Sequence, residues 1–249
     1  MEDSYLKLYI LFFIFIFLLG LAGFILLEIS PSYSPGQNTV SYAFLGHRAY
    51  MELLQKRGFA VYRKHNNQFP LQENIVVFYL TPQNIHSSHF LQNSWSKEVI
   101  QILEKGGTVV ISLPKWHAVP HKENPLWIEK KTEIPLSLSL EPIMKLLDTM
   151  KMPRSALFLK SHSSGKYSIL WKESKEERFS LALDKPRFFS KIPNNAKILA
   201  EWKNQVWAFM MEWITEKGNK GYCIILSDGD IFANGELVKE ENGLLAYHL

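Results

Sequence analysis

Two carboxylates, Asp228 and Asp230, stand two residues apart just beyond the apolar run Gly221–Leu226, with Asn234, Glu241 and Asn242 close behind. Carboxylates at the C-terminal edge of a strand are where open α/β sheets place ligand contacts. There they could offer charge-assisted hydrogen bonds to a donor-rich ligand, or hold a hard cation such as Ca²⁺. The string Ser227-Asp228-Gly229-Asp230 is equally ordinary turn chemistry, and Asn and Asp also cap helices. Asp228, Asp230 and Asn234 are therefore the candidate ligand-binding residues, with a turn role as the alternative.

Histidine offers a second chemistry. His86 and His89 are spaced i, i+3, and His117 and His121 are spaced i, i+4. Such pairs can chelate a metal when both imidazoles sit on one helix. Neither pair has a companion carboxylate at a signature spacing, and Pro120 interrupts the second. His86 and His89 are weak metal candidates against a reading as solvated loop histidines, and no cofactor is expected.

Nucleophilic chemistry lacks its parts. The single cysteine, Cys223, lies inside the apolar run rather than on a sharp strand-to-helix turn, which reads as a buried structural thiol. One cysteine also excludes an intramolecular disulfide, and that scarcity fits an exported domain. Ser163 and Ser164 stand between His162 and Gly165, where a hairpin turn would place Ser and Gly anyway, and no Gly-x-Ser-x-Gly occurs. There is no P-loop and no Gly-x-Gly-x-x-Gly, so nucleotide binding is unsupported.

The elements that position these residues follow from apolar spacing. Tyr50, Leu53 and Leu54 recur at helical period and Gly58 stops that helix; Phe59–Tyr62 then reads as a strand. Ile75–Leu80 and Thr108–Leu113 are continuous β-rich runs of the kind buried on both faces of parallel sheets. Between them, Ser94 opens a helix with Val99, Ile102 and Leu103 on one face, closed by Gly106 and Gly107. This order predicts a doubly wound, mostly parallel α/β sheet. Trp116–Pro135, with three prolines, reads as loop, and Glu141–Met150 as a short helix. From about 155 to 213 the period shortens into strands at Ala156–Leu159, Tyr167–Trp171, Phe179–Leu183, Ile198–Trp202 and Val206–Trp213, an antiparallel insertion. Cys223–Leu226 then returns to the parallel sheet.

The head has a different composition. Leu8–Leu27 runs twenty residues without a charge, which as helix reaches roughly 30 Å, the hydrocarbon thickness of a bilayer. The run is longer than the apolar core of a signal peptide, and Leu26-Leu27-Glu28-Ile29 is a poor cleavage site, so residues 1–29 read as a retained transmembrane anchor. Residues 30–45 follow as a Pro/Ser/Gly linker, and 46–249 as the α/β domain. Lys7 precedes the span and no Lys or Arg follows it until Arg48, an asymmetry that favours a cytoplasmic N-terminus and an extracytoplasmic domain. Net charge is +4 but unevenly spread: Glu141–Lys203 holds thirteen Lys/Arg against seven Asp/Glu, and Asn204–Leu249 three against seven. The basic middle either faces anionic headgroups or is a solvated sheet face. A membrane tether argues against nucleic acid as its partner.

The strings GHRAYMELLQKRGFAVYR, NIVVFYLTP, ILEKGGTVVISLP and GYCIILSDGDIFANGELVKEENGLLAYHL, behind a membrane helix and a Ser/Pro-Gly linker, resemble a bacterial family. It is the membrane-tethered family catalogued as domain of unknown function 4350, similar in fold to class I glutamine amidotransferases. The resemblance implies an amidotransferase-like sheet, while Cys223 inside a strand, with no Gly-x-Cys-x-Gly around it, argues from the residues that the nucleophile is missing. Members often carry a second membrane helix near the C-terminus, which this chain lacks; a shorter or truncated member is the corresponding expectation. The reading favours a membrane-tethered, non-catalytic binding or scaffolding module that contacts a protein or envelope component. The alternatives are an envelope hydrolase or metal-dependent enzyme, and an accessory subunit of a membrane transport complex.

Overall fold

The computed structural model describes residues 12, 14–19, 46–62, 75–80, 94–123, 128–151, 157–173, 176–215 and 218–249. The chain divides into two compact units, Met1–Tyr33 and Ser34–Leu249. In the first unit Phe12 and residues 14–19 are helical and exposed. Among the described residues no helix is long and apolar enough to cross a membrane. Most of the span expected at Leu8–Leu27, and the linker at 30–45, lie outside the described residues, as do His86 and His89.

The second unit runs α1 (Arg48–Lys56), β1 (Val76–Leu80), α2 (Ser94–Glu104), β2 (Thr108–Ser112), β3 (Trp116–Pro120), β4 (Ile128–Glu133) and α3 (Leu136–Thr149). It continues through β5 (Phe158–Ser161), β6 (Gly165–Trp171), β7 (Glu177–Leu183), β8 (Arg187–Lys191), β9 (Lys197–Trp202), β10 (Gln205–Ile214) and β11 (Lys220–Leu226) to α4 (Asn242–His248). Among the described residues the main sheet has nine strands in the order β1-β2-β11-β10-β9-β6-β7, with β8 paired to both β10 and β5. β1, β2 and β11 are parallel, with Val110 opposite both Phe78 and Ile224. Among the described residues every other pairing in this sheet is antiparallel.

This corrects the expectation of a mostly parallel sheet: the sheet is mixed, curled and largely antiparallel. The cause is β10, half of whose ten residues are buried, and which pairs antiparallel with β11 on one side and β9 on the other. A continuous apolar run reports burial on both faces, and here the burial comes without parallel neighbours. The strands expected between 155 and 213 are present and continue the same sheet through β10.

Strand alternation divides the apolar side chains between two faces. On one, Val109, Ile111, Cys223, Ile225, Phe209 and Met211 pack with Val99, Ile102 and Leu103 of α2 and Ile143, Leu146 and Leu147 of α3. On the other, Val110, Leu226, Ala208 and Trp207 pack with Tyr50 of α1, Phe232, and Leu245 and Ala246 of α4. At Gly221 a Cβ would lie 2.4 Å from the Leu103 carbonyl oxygen, so glycine lets α2 sit directly on β11.

Three local expectations are also corrected. Phe59–Tyr62 forms no strand; it leaves α1 through Gly58, at φ +89°, as exposed chain. Trp116–Pro135 is not a loop but holds the antiparallel hairpin β3–β4, a separate two-stranded sheet in which Pro120 stands at the strand end, beside a register shift. α3 begins at Leu136, ahead of Glu141. Pro142 suits a first helical turn in sequence, but here it lies inside the helix, while Ser139 and Leu140 before it are buried.

Candidate functional site

β2 and β11 end side by side, with Leu113 N–H donating to the Leu226 carbonyl at 3.0 Å, so the residues after each strand converge. From the first strand come Pro114, Lys115 and Trp116, and from the second Ser227, Asp228 and Asp230. Lys115 is fully buried, and its ammonium donates to Asp228 Oδ2 at 2.5 Å and to the Asp184 carbonyl at 2.8 Å. It also pairs with Asp230 Oδ2 at 2.5 Å. Its three N–H protons thus have three acceptors, the whole donor capacity of a lysine.

The two carboxylates are fixed further. Trp116 Nε1–H donates to both oxygens of Asp230, at 3.1 and 3.0 Å. Asp228 Oδ1 accepts from the Asp230 backbone N–H at 3.0 Å, an Asx turn. Asp228 and Asp230 are buried, so they meet a protein cation rather than solvent. Burial and the adjacent Asp230 push the Asp228 carboxyl up to about 6, against the pull of Lys115. For Lys115, burial favours the neutral amine, but Asp228 and Asp230 outweigh it and hold the group above its usual range.

Around this centre lies a wider polar shell. His47, at the start of α1, is buried and pairs through Nδ1 with the Phe232 carbonyl at 3.1 Å; a carbonyl only accepts, so Nδ1 carries the proton. Burial lowers its pKa to about 4 and keeps the ring neutral. Glu236 is buried and shifted upward by that burial; one oxygen pairs with Lys239 at 2.9 Å and the other has no hydrogen-bond partner. Outside Trp116, Lys131 stacks 4.1 Å from the ring centre and pairs with Asp184 at 2.5 Å, while Ser164 donates to the other Asp184 oxygen at 2.6 Å.

A second buried cation stands beside the first. Arg187, at the start of β8, donates through Nη1 to the Pro114 carbonyl at 3.2 Å and to Ser139 Oγ. Through Nη2 it donates to Glu133 Oε1 at 3.1 Å and to the Ile134 carbonyl. Burial would raise the Glu133 carboxyl, but the Arg187 contact wins and holds it below its usual range. Ser227 Oγ donates to the Arg187 carbonyl and Ser227 N–H to that of Trp207 at 2.9 Å, joining the end of β11 to β8 and β10. The β3–β4 hairpin is thereby bolted to the sheet at Lys115, Trp116, Lys131 and Glu133.

The candidates from the sequence separate here. Asp228 and Asp230 come together. Asn234 contacts the start of α1: its Oδ1 accepts from Ala49 N–H at 2.8 Å and its own N–H donates to the Gly46 carbonyl at 2.7 Å. It therefore caps α1 from a distance, where His47 offers no side-chain cap. His117 and His121 lie on and just after strand β3, where four residues span about 13 Å, too far to share one metal. Among the described residues no group of three His, Cys, Asp or Glu side chains could hold a metal ion. Cys223 is buried in β11 with its thiol pushed up to about 12 by that burial, the wrong direction for a nucleophile. His162 pairs with Gln205 at 2.8 Å and packs edge-on to Phe188 and Trp202, away from a serine nucleophile's geometry.

Lys115, Trp116 and Arg187 were missed from sequence. For the first two a signal existed, since they follow an apolar strand as Asp228 does. Arg187 has none: nothing in Arg-Phe-Phe-Ser-Lys marks a buried guanidinium.

The domain is similar in fold to the mmIFT52 N-terminal domain. That solved structure superposes with a TM-score of 0.49 at 11% identity, covering 83% of this chain and 91% of that one. No family model and no curated protein matches the chain.

Proposed function

We propose that this chain is a membrane-tethered α/β binding or scaffolding domain, a divergent member of the family of unknown function 4350, and that it works by contact rather than catalysis. The supporting observation is the state of the strand C-terminal edge. Where an α/β enzyme would aim charged groups at a substrate, Lys115, Asp228 and Asp230 are buried and turned onto one another. Their chemistry is consumed in holding the β3–β4 hairpin, which favours the turn and locking role for the aspartates over a ligand role. The buried, upward-shifted Cys223 removes the amidotransferase nucleophile.

The partner in this reading is a protein or envelope component on the extracytoplasmic side, reached while the anchor holds the domain at the bilayer. The test is affinity capture of the tagged full chain in mild detergent after brief crosslinking, with a panel of ester, amide and glycoside substrates run on the same material. One partner recovered in near-stoichiometric yield, with no turnover, is the expected result. Turnover that disappears on Asp228→Asn while the fold is kept would overturn it.

A further inference from the structure

The segment after α1 departs from its sequence pattern, because its apolar residues are left outside. Phe59 is 55% exposed and Tyr62 86%, next to the exposed cations Lys56 and Arg57. Arg57 lies 5.0 Å from the ring centre of Tyr247 on α4, and Leu244, one turn earlier on that helix, is also exposed. Nearby acids are already engaged: Glu52 pairs with Arg48 at 2.6 Å, Glu240 with Lys166 at 2.6 Å, and Glu241 with the Ser180 N–H. From Leu53 to Asn67 the sequence holds four Lys/Arg and no Asp or Glu. This is the composition of a surface that enters the headgroup layer, with aromatic rings at the interface and cations against anionic lipid.

We propose that Lys56, Arg57, Phe59, Tyr62, Leu244 and Tyr247 form a docking face for the anionic bilayer surface to which the chain is tethered. The inference rests on the membrane tether of the proposed function. Eighteen residues, 28–45, separate the apolar run from the domain, and covalent geometry limits their reach to roughly 60 Å, so a membrane tether keeps this face at high local concentration near lipid. Each cation near such a surface contributes about 1 kcal/mol. Docked this way, the α1–α4 side meets lipid and the opposite side, with β5 and α3, faces outward to a partner.

The experiment uses the full chain in lipid nanodiscs, either pure phosphatidylcholine or containing about 30 mol % phosphatidylglycerol, with nitroxide lipids as quenchers. A polarity-sensitive fluorophore is placed at Ala60→Cys, and a control label at Lys160→Cys on β5. The expected result is quenching of the Ala60 label in anionic discs alone, reversed by about 0.5 M salt, with the control unquenched. Lys56→Gln with Arg57→Gln should lower the docked-to-undocked ratio roughly thirtyfold. If the chain enters the disc and the Ala60 label stays unquenched in both lipids, docking is overturned while the tether stands. Should the chain fail to enter the disc at all, the tether and the docking fall together. Equal quenching of both labels would show a non-specific collapse onto lipid and also overturn the assignment.

Discussion

Lys115 sits in a buried charge imbalance, one ammonium against two carboxylates. Removing one partner of a buried pair typically costs 3–5 kcal/mol, because the remaining charge stays uncompensated. Lys115→Met should therefore cost about that much, read as a lower urea midpoint in detergent. A change within about 0.5 kcal/mol would mean the pair is not buried as described. Cys223→Ala should cost about 1–2 kcal/mol for its small cavity and leave partner capture intact; loss of capture at unchanged stability would give the thiol a chemical role. The pH dependence is more informative, because two groups oppose each other. Asp228, held at about 6 against an ordinary 3.8, adds stability that is full below 3.8 and lost as pH rises through 6. His47, lowered from 6.5 to about 4, adds stability that is full above 6.5 and lost as pH falls through 4. Between pH 6.5 and 4 the two therefore act in opposite senses. Asp228→Asn should unmask the histidine and lose stability on acidification. His47→Asn, whose amide can still donate to the Phe232 carbonyl, should gain it. If both variants keep the parent's profile between those pH values, the protonation states assigned here are wrong.

At the scale of elements, what was legible in the sequence follows from local periodicity. α1, α2, β1, β2 and the strands from β5 to β10, except β8, announce themselves by spacing and by Gly58 and Gly106, both at positive φ. β8 was not legible, because Phe188 and Phe189 are both buried, on opposite faces, and the strand shows no alternation there. The hairpin β3–β4 was hidden for a different reason: its prolines and charges suit a loop, and its ion pairs reach residues far along the chain. Packing between elements adds what no spacing reports. Gly221→Ala would press a methyl carbon against the Leu103 backbone, and α2 cannot move without leaving its apolar face. It should cost about 3 kcal/mol or more in the urea midpoint. A neutral result would show that α2 sits further from β11 than described. The outer edge of β7 is closed by the start of α4 instead of a strand: the Asn242 side chain exchanges hydrogen bonds with the Ala182 backbone at 3.2 and 3.1 Å, and Glu241 N–H donates to the Ser180 carbonyl at 3.1 Å. Such sealing protects an edge from pairing with another chain.

For the whole molecule, the parallel trio β1-β2-β11 was legible as runs of β-branched residues, whereas the largely antiparallel character of the sheet was not. Pairing direction is set by which strand β10 finds beside it, a contact between distant residues that no local pattern encodes. The candidate site was half legible. Asp228 and Asp230 could be located from a strand end, but the cation that occupies them comes from 113 residues earlier. The central claim, a globular domain held at a membrane, rests on Leu8–Leu27 and its length without charge. Intact-mass measurement on protein recovered from alkali-washed membranes tests it most directly. The expected result is an intact mass that still includes Leu8–Leu27, found in the membrane pellet. A soluble product whose N-terminus falls near Ser30 would contradict it.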